Sequence, residues 1–328
     1  MEEYIKKLAL SYGFSACGFA NISDTALPVQ KFSSWLNAGF DADMHYMREN
    51  TDKRMNPSLL LDGANTAIVV LLNYFSNHSQ PDEKYKIASY AYGADYHYVV
   101  RNKLRLMADE VSLKYHLPDG CFAQFCDSAP VFDRFWAWKA GLGWIGKNSM
   151  LINPKVGSFT FIGVMFTTLS LASDTPISER CGRCTACLDA CPTGAISRNN
   201  CKLLDANKCL SYFTIESKDG IPNNLLSKSK NILFGCEYCL TACPWNRFAK
   251  PHNIPELMPI DGIFDVDWPA INNSIFRKQL KFSPLKRAGA GKLRNRAAQI
   301  NSFFSISNNN QKKTRQDDCY INGNDNVL

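Results

Sequence analysis

With 328 residues and 45% apolar content, the chain is long enough for two or three domains, each with a proper core. Its longest apolar run, Ala67 to Leu72, falls far short of the roughly 20 residues that span a bilayer, so a membrane helix is excluded and a buried strand expected. The formal charge of +7 is uneven: eleven Lys or Arg and no Asp or Glu stand between Pro269 and Gln316, which points to a polyanionic partner, nucleic acid first.

In chain order, Met1-Glu2-Glu3-Tyr4 is acidic and lacks the basic-then-apolar pattern of a secretory signal, so a cytoplasmic protein is expected. Helical spacing covers Glu2 to Tyr12, Ala16 to Ile22 reads as a strand, and Leu27 to Asn37 returns to helix. Ala67 to Tyr74 is a strong strand. His97 to Tyr115 is a long amphipathic helix with Val99, Leu104, Met107 and Val111 on its apolar face. Pro130 to Ala140 reads as a further helix, and Ser149 to Thr168 as a strand pair around the turn Asn153-Pro154-Lys155-Val156-Gly157. This alternation predicts one α/β (α+β) domain over residues 1–172. Residues 173–250 are cysteine-rich, with short segments punctuated by Pro and Gly. Residues 251–304 turn Pro-rich, then basic and helical. Residues 305–328 are Asn-, Ser- and Lys-rich and are expected to be disordered.

Thirteen cysteines in a reducing compartment bind metal or do redox chemistry more readily than they form disulfides. One run is Cys181-x2-Cys184-x2-Cys187-x3-Cys191-Pro192; the other is Cys236-x2-Cys239-x3-Cys243-Pro244, with Cys209 upstream. A short loop wraps three thiolates around one face of a cubane, and chain direction carries the fourth to the other cluster. Two [4Fe–4S] clusters follow, one on Cys181, Cys184, Cys187 and Cys243, the other on Cys191, Cys209, Cys236 and Cys239. The displaced Cys209 departs from a symmetric two-cluster ferredoxin. Zinc is the alternative, since paired CxxC units also bind it, but the x2, x2, x3-Cys-Pro spacing fits zinc poorly. Cys17, Cys121, Cys126, Cys201 and Cys319 lie outside the pattern and receive no role.

Gly141-Leu142-Gly143-Trp144-Ile145-Gly146-Lys147 matches the dinucleotide fingerprint in letters only. A helix precedes it, strand-like residues follow, and the first acid afterwards is Asp174, so a tight turn with close backbone approach is the better reading. Asp127, in Cys126-Asp127-Ser128-Ala129-Pro130, has two readings: an N-cap for the helix that follows, or a proton donor.

Asp127-Ser-Ala-Pro-Val-Phe-Asp-Arg134, Lys139 to Ile152, Cys181 to Ala195, Leu204 to Glu216 and Phe234 to Arg247 together resemble the epoxyqueuosine reductase family. Weaker matches are Lys53-Arg54-Met-Asn-Pro57 and Tyr92-Gly-Ala-Asp-Tyr-His97, and the likeness runs to about Ala298. The resemblance implies reduction of epoxyqueuosine to queuosine in the anticodon loop of tRNA. It implies a base-off cobalamin, used as cob(I)alamin charged by the two clusters, in a layout similar to reductive dehalogenases. Asp127 would be the proton donor, its pKa raised by burial. Arg54, Asp127, Leu151, Ile162 and Ser211 would touch the corrinoid. Arg134, Lys286, Arg287, Arg294 and Arg296 would face tRNA, within a basic segment whose binding weakens with salt. A low-potential electron donor is needed, and a monomer is expected. Each residue also has an ordinary reading: apolar strand core for Leu151 and Ile162, solvated charge for Arg54 and Arg134, a helix cap for Ser211. The alternatives are a corrinoid and iron–sulfur reductase of a small molecule, an electron-transfer module for a partner enzyme, and an RNA-binding protein with structural clusters.

Overall fold

A computed structural model describes residues 1–23, 25–78, 80, 85–198 and 203–303. The expected disordered tail, 305–328, lies outside the described residues, as do Cys201 and Cys319. The first part of the chain runs α1 (Glu2–Ser11), β1 (Ala16–Asn21), α2 (Ala26–Asn37), α3 (Thr51–Met55), β2 (Thr66–Asn73), β3 (Lys86–Ile87), α4 (Tyr96–Tyr115), β4 (Phe122–Phe125), α5 (Asp133–Lys139), β5 (Trp144–Ile145), β6 (Leu151–Ile152) and β7 (Thr160–Thr167).

Four strands form one sheet in the order β1-β2-β7-β4, every neighbouring pair antiparallel. Strand β2 reads as an unbroken apolar run because both its faces are covered. Its alternate residues Ile68, Val70 and Leu72 pack with α1 and α4, while Ala67, Val69 and Leu71 pack with Trp136 and Ala137 of α5. The result is a helix–sheet–helix sandwich, the α+β form of the expected mixed α/β fold. Gly163 on β7 lets α4 settle close, since a Cβ there would stand 2.7 Å from Val100. Helix α4 begins where the Asp95 carboxylate accepts the His97 backbone N–H at 3.2 Å.

Two local expectations need correction. The turn Asn153–Gly157 forms, closed by a reciprocal pair of backbone hydrogen bonds. Its flanks do not pair further with each other: β6 pairs with β5, and β7 joins β2 and β4. The helix expected from Pro130 starts only at Asp133, with Phe132 at its N-cap, so Asp127 is not a helix cap.

Beyond Ser173 come α6 (Ala186–Asp189), α7 (Leu210–Ile215), α8 (Asn223–Ser229), β8 (Ile232–Phe234), α9 (Tyr238–Thr241), α10 (Asn273–Gln279) and α11, a helix over residues 289–303. Strand β8 lies parallel to β3, which stitches the cysteine-rich region to the first part of the chain. The C-terminal stretch has a real core. Trp268, Ile271, Phe276, Leu285, Leu293 and Ala297 pack with Ile87, Tyr92, Leu233 and Phe234. Among the described residues no helix is long and apolar enough to cross a membrane.

Candidate active site and cluster-binding region

Two adjoining cavities, of about 530 and about 750 Å³, share Tyr46, Arg54, Tyr90, Tyr96 and Asp127 in their walls. The first brings together Arg54 from α3, Asp127 from the β4–α5 loop, Leu151 from β6, Ile162 from β7 and Ser211 from α7. Residues separated by up to half the chain thus converge where the sheet edge meets the cysteine-rich region. Arg134 lines the same space. The second cavity is lined by Asp95, His97, Glu216, Lys286 and Arg287, and Asp127 stands at the junction of the two.

Asp127 is presented by a tight turn. Its φ is +56°, and Ser128 N–H donates to the Cys126 carbonyl at 2.6 Å. Buried Cys126 anchors the turn below, and Asp is among the residues that tolerate this left-handed region. The carboxylate opens into the cavity, its side chain 64% accessible there. Its Oδ2 accepts from the Tyr96 hydroxyl and lies 3.5 Å from His97 Nε2. His97 Nδ1 in turn faces Asp95 Oδ1 at 2.7 Å, and Lys286 Nζ holds Asp95 Oδ2 at 2.8 Å. Tyr96 is fixed by parallel stacking on Phe161 at 4.1 Å.

This network sets the charges. The surrounding cavity walls push the Asp127 carboxyl up, but hydrogen bonds from His97 and Tyr96, with the charges of His97 and Arg134, outweigh them and leave the group below its ordinary value. The raised pKa expected for Asp127 is therefore corrected: the enclosure that should have raised it also supplies donors. Burial lowers His97, yet the two carboxylates of Asp127 and Asp95 raise it to about 9 overall. Asp133, whose Oδ1 accepts from Asp127 N–H at 3.4 Å, is pushed up to about 7 by burial and by the Asp127 charge. Tyr96, His97, Asp95 and Asp133 were missed as site residues. The Asp95-Tyr96-His97 triplet was visible in the sequence but carried no signal of its own until α4 placed it opposite Asp127.

Among the described residues, Arg54 carries the one buried side-chain nitrogen left unsatisfied. Its Nε is buried without a hydrogen-bond partner, its guanidinium lies 5.6 Å over the Phe32 ring, and its Nη2 lies 3.9 Å from Met47 Sδ. A ligand bearing amide or phosphate oxygens would satisfy it. Together with the apolar floor of Leu151 and Ile162, this fits a large, partly polar macrocycle.

The cysteines fall into two electrostatic neighbourhoods. Burial, then the proximity of Cys181, Cys243 and Cys184, pushes Cys187 up to about 11, and Cys243 is raised by burial with Cys181 and Cys184 beside it. Cys236 is pushed up to about 12 by burial with Cys209 and Cys191 as neighbours, and Cys239 is raised by burial, then by Cys236, Cys209 and Cys191. Cys239 also feels Cys187, so the neighbourhoods adjoin. It lies near buried Tyr74, a wall of the first cavity.

The Gly141–Gly146 stretch is the close-approach turn expected. Gly141 has φ +70°, and a Cβ on Gly143 would stand 2.3 Å from the Ile152 carbonyl. The turn clamps both cysteine loops. Trp144 Nε1 donates to Cys181 Sγ at 3.4 Å, Lys147 Nζ to the carbonyls of Gly182 (2.7 Å) and Cys184 (2.9 Å), and Asn148 Nδ2 to that of Cys239 (3.2 Å).

Of the residues expected to face RNA, Lys286 and Arg287 line the second cavity, Arg287 paired with Glu216 at 2.8 Å. Arg134 and Arg294 are exposed. Arg296 is corrected. It is 5% exposed, and its guanidinium donates to the Ile232 carbonyl at 2.9 Å and Ser229 Oγ at 2.8 Å, so it ties α11 to β8 and faces no phosphate.

A family model described as a 4Fe-4S double cluster binding domain matches residues 180–246, and one described as "Epoxyqueuosine reductase QueG, DUF1730" matches residues 54–128. The chain thus carries a module for two [4Fe–4S] clusters. Among curated proteins, the epoxyqueuosine reductase of Leadbetterella byssophila is 44% identical over 284 residues, 86% of this chain and 92% of that protein. That of Cellulophaga algicola is 41% identical over 288 residues, 87% and 93% of the two chains. A solved epoxyqueuosine reductase with a tRNA-Tyr epoxyqueuosine-modified stem loop superposes with a TM-score of 0.83 at 29% identity, covering 91% of this chain and 80% of the other. A Bacillus subtilis epoxyqueuosine reductase, with its aspartate catalytic loop swung out of the active site, gives 0.80 at 28%, again over 91% and 80%. Identity of this order, sustained over 92% of a relative's length, is what common descent leaves, and this chain belongs to the epoxyqueuosine reductase family.

Proposed function

We propose that this chain removes the epoxide oxygen of epoxyqueuosine in the anticodon loop of tRNA, giving queuosine, and does so in the cytoplasm as a monomer. The observation that carries the reading is the convergence of Arg54, Asp127, Leu151, Ile162 and Ser211 on one cavity. That cavity opens past Lys286 and Arg287 and backs onto Cys239 through Tyr74. The cations at the opening favour a polyanionic substrate over a small organohalide.

Cys181, Cys184, Cys187 and Cys243 would hold one [4Fe–4S] cluster, and Cys191, Cys209, Cys236 and Cys239 the other, as their two neighbourhoods support. Arg54 would meet polar oxygens at the edge of a base-off cobalamin, Leu151 and Ile162 would floor its ring, and Ser211 would close the far side. When bound, the corrinoid supplies a strongly reducing cobalt centre and the clusters supply its electrons one at a time.

Removing an epoxide oxygen as water consumes two electrons and two protons. At neutral pH Asp127 is a carboxylate and His97 an imidazolium. His97 therefore stores a proton at Nε2, 3.5 Å from Asp127 Oδ2, and Asp127 passes it to the departing oxygen. Asp95, braced by Lys286, holds the imidazole in register. Asp133, titrating at about 7 beside Asp127, is placed to supply the second proton. The catalytic loop in the Bacillus subtilis relative is likewise named for an aspartate, and Asp127 here sits on the β4–α5 loop. The test is anaerobic reconstitution with iron, sulfide and cobalamin, then assay on epoxyqueuosine-containing tRNA. Conversion to queuosine is expected; full cofactor loading without conversion would refute the reading.

A further inference from the structure

Of the eleven described cysteines, Cys184 alone is exposed. The surface around it is unusually cationic. Arg180, Arg183 and Arg247 are all exposed, and a continuous set of contacts joins two of them. Arg180 lies over the Trp144 ring at 6.0 Å, Trp144 meets Trp245 at 4.8 Å, Trp245 meets Phe248 at 5.8 Å, and Arg247 covers Phe248 at 4.6 Å. Phe248 is itself 41% exposed. Exposed Lys155 sits in the Asn153–Gly157 turn, and the next residue, Ser158, donates its N–H to Asn246 Oδ1 at 2.7 Å, one residue from Arg247.

Acids are scarce in the segments that build this face. None occurs from Arg134 to Ser173 or from Tyr238 to Pro255. The first cysteine loop has Glu179 and Asp189, and Asp189 is occupied by Arg198 at 2.6 Å and by the Thr185 hydroxyl at 2.7 Å. Arg180, Arg183 and Arg247 line neither cavity, so the substrate's route does not account for them.

We propose that this face, Arg180, Arg183, Lys155 and Arg247 around Cys184 with the Phe248 ring among them, docks an acidic one-electron carrier protein that reduces the first cluster. The step is a single electron leaving the carrier, which is oxidised, and entering the cluster, which is reduced; no proton or bond changes hands. Positive rim charge speeds encounter with an acidic partner, and an exposed ring gives it an apolar anchor. The one exposed sulfur ligand brings the cluster within reach of a docked redox group. RNA is the other polyanion such a surface could hold, but RNA has no use for an exposed cluster ligand. The proposal rests on assigning Cys184 to a cluster, and not on the reaction in the cavity.

The experiment therefore omits corrinoid and substrate. The full chain with both clusters is mixed in stopped flow with a photoreduced acidic [2Fe–2S] ferredoxin as probe, or with photoreduced deazaflavin as an uncharged small reductant, and loss of the cluster absorbance is followed. Raising ionic strength from about 0.01 to about 0.15 M shortens the Debye length from about 30 to about 8 Å. The ferredoxin reaction of the unmodified protein should slow about 10-fold or more, the deazaflavin reaction not at all. The variant Arg180→Glu/Arg183→Glu/Arg247→Glu, matched for iron content, should show the same selective loss at low salt. A ferredoxin rate indifferent to salt, or equal in the variant, overturns the proposal. So does competitive slowing by bulk tRNA that disappears in the variant, which would make the face an RNA surface.

Discussion

The cysteine-rich region and the cavity beside it are built on opposite principles. Seven of the eight proposed cluster ligands sit in two short runs, three or four residues apart, because a cubane has fixed corners and a loop must reach them in order. The two adjoining cavities draw Arg54, Asp127, Leu151, Ile162, Ser211 and Lys286 from six separate elements or loops, and no spacing links them. An inorganic cluster dictates the chain that binds it. A large organic ligand accepts whatever side chains a finished fold delivers.

That contrast can be broken or sharpened. The largest effect should come from Cys184→Ser with Cys239→Ser, one ligand of each proposed cluster: visible cluster absorbance collapses and turnover disappears. Retention of full activity would sink the two-cluster reading. Asp127→Ala should keep both clusters and lower kcat by about 10²–10⁴-fold, the usual worth of a positioned acid. Normal kcat in that variant would remove Asp127 from the reaction. His97→Gln should cost about 10²-fold, the lower end of the same range, and change the pH profile. In the unmodified protein His97 is charged below about 9, so activity should fall as pH rises through that value, and the variant should lack that alkaline limb. The sign for stability is the same. Because the folded pKa lies above the ordinary 6.5, the contribution of His97 is full below 6.5 and is lost as pH rises through about 9, measurable as a pH-dependent Tm difference from the variant.

Smaller effects test the opening of the cavity. Lys286→Ala with Arg287→Ala should weaken tRNA binding and flatten its salt dependence by about one to two log units per log unit of salt, read by filter binding. An unchanged slope would place the RNA elsewhere. Arg296→Met should do the reverse, leaving the slope intact while costing about 1–3 kcal/mol of stability for each acceptor left bare, Ile232 O and Ser229 Oγ. Urea unfolding would read it.

Much of the fold was legible. The β2 run announced a buried strand, the 3.6-residue spacing of Val99, Leu104, Met107 and Val111 announced α4, and the Asn153–Gly157 turn is where its residues put it. What failed was partnership. Nothing local says that Leu151–Ile152 pairs backward with Trp144–Ile145, or that the short strand Phe122–Phe125 forms at all, since both rest on distant neighbours. The same limit applies to charge. Arg296 looked like its neighbours in a basic run and proved to be an internal tie, while the depressed Asp127 carboxyl depends on a histidine thirty residues earlier in the chain. Asp127 stood out in the sequence as either a helix cap or a proton donor, and its resemblance to a family motif, not spacing, pointed to the donor.

The parallel pairing of β3 with β8 has a consequence for electron flow. Strand β3 leads through Ala88, whose N–H donates to the Phe234 carbonyl at 2.8 Å, to Ser89, whose hydroxyl donates to Glu237 at 2.7 Å. Tyr90 on the cavity wall and Cys236, a proposed cluster ligand, therefore ride on one hydrogen-bonded ladder. That ladder fixes the separation of Cys236 from the cavity wall when the chain folds, so with Cys236 as a cluster ligand, internal charging of the site should be indifferent to solvent viscosity.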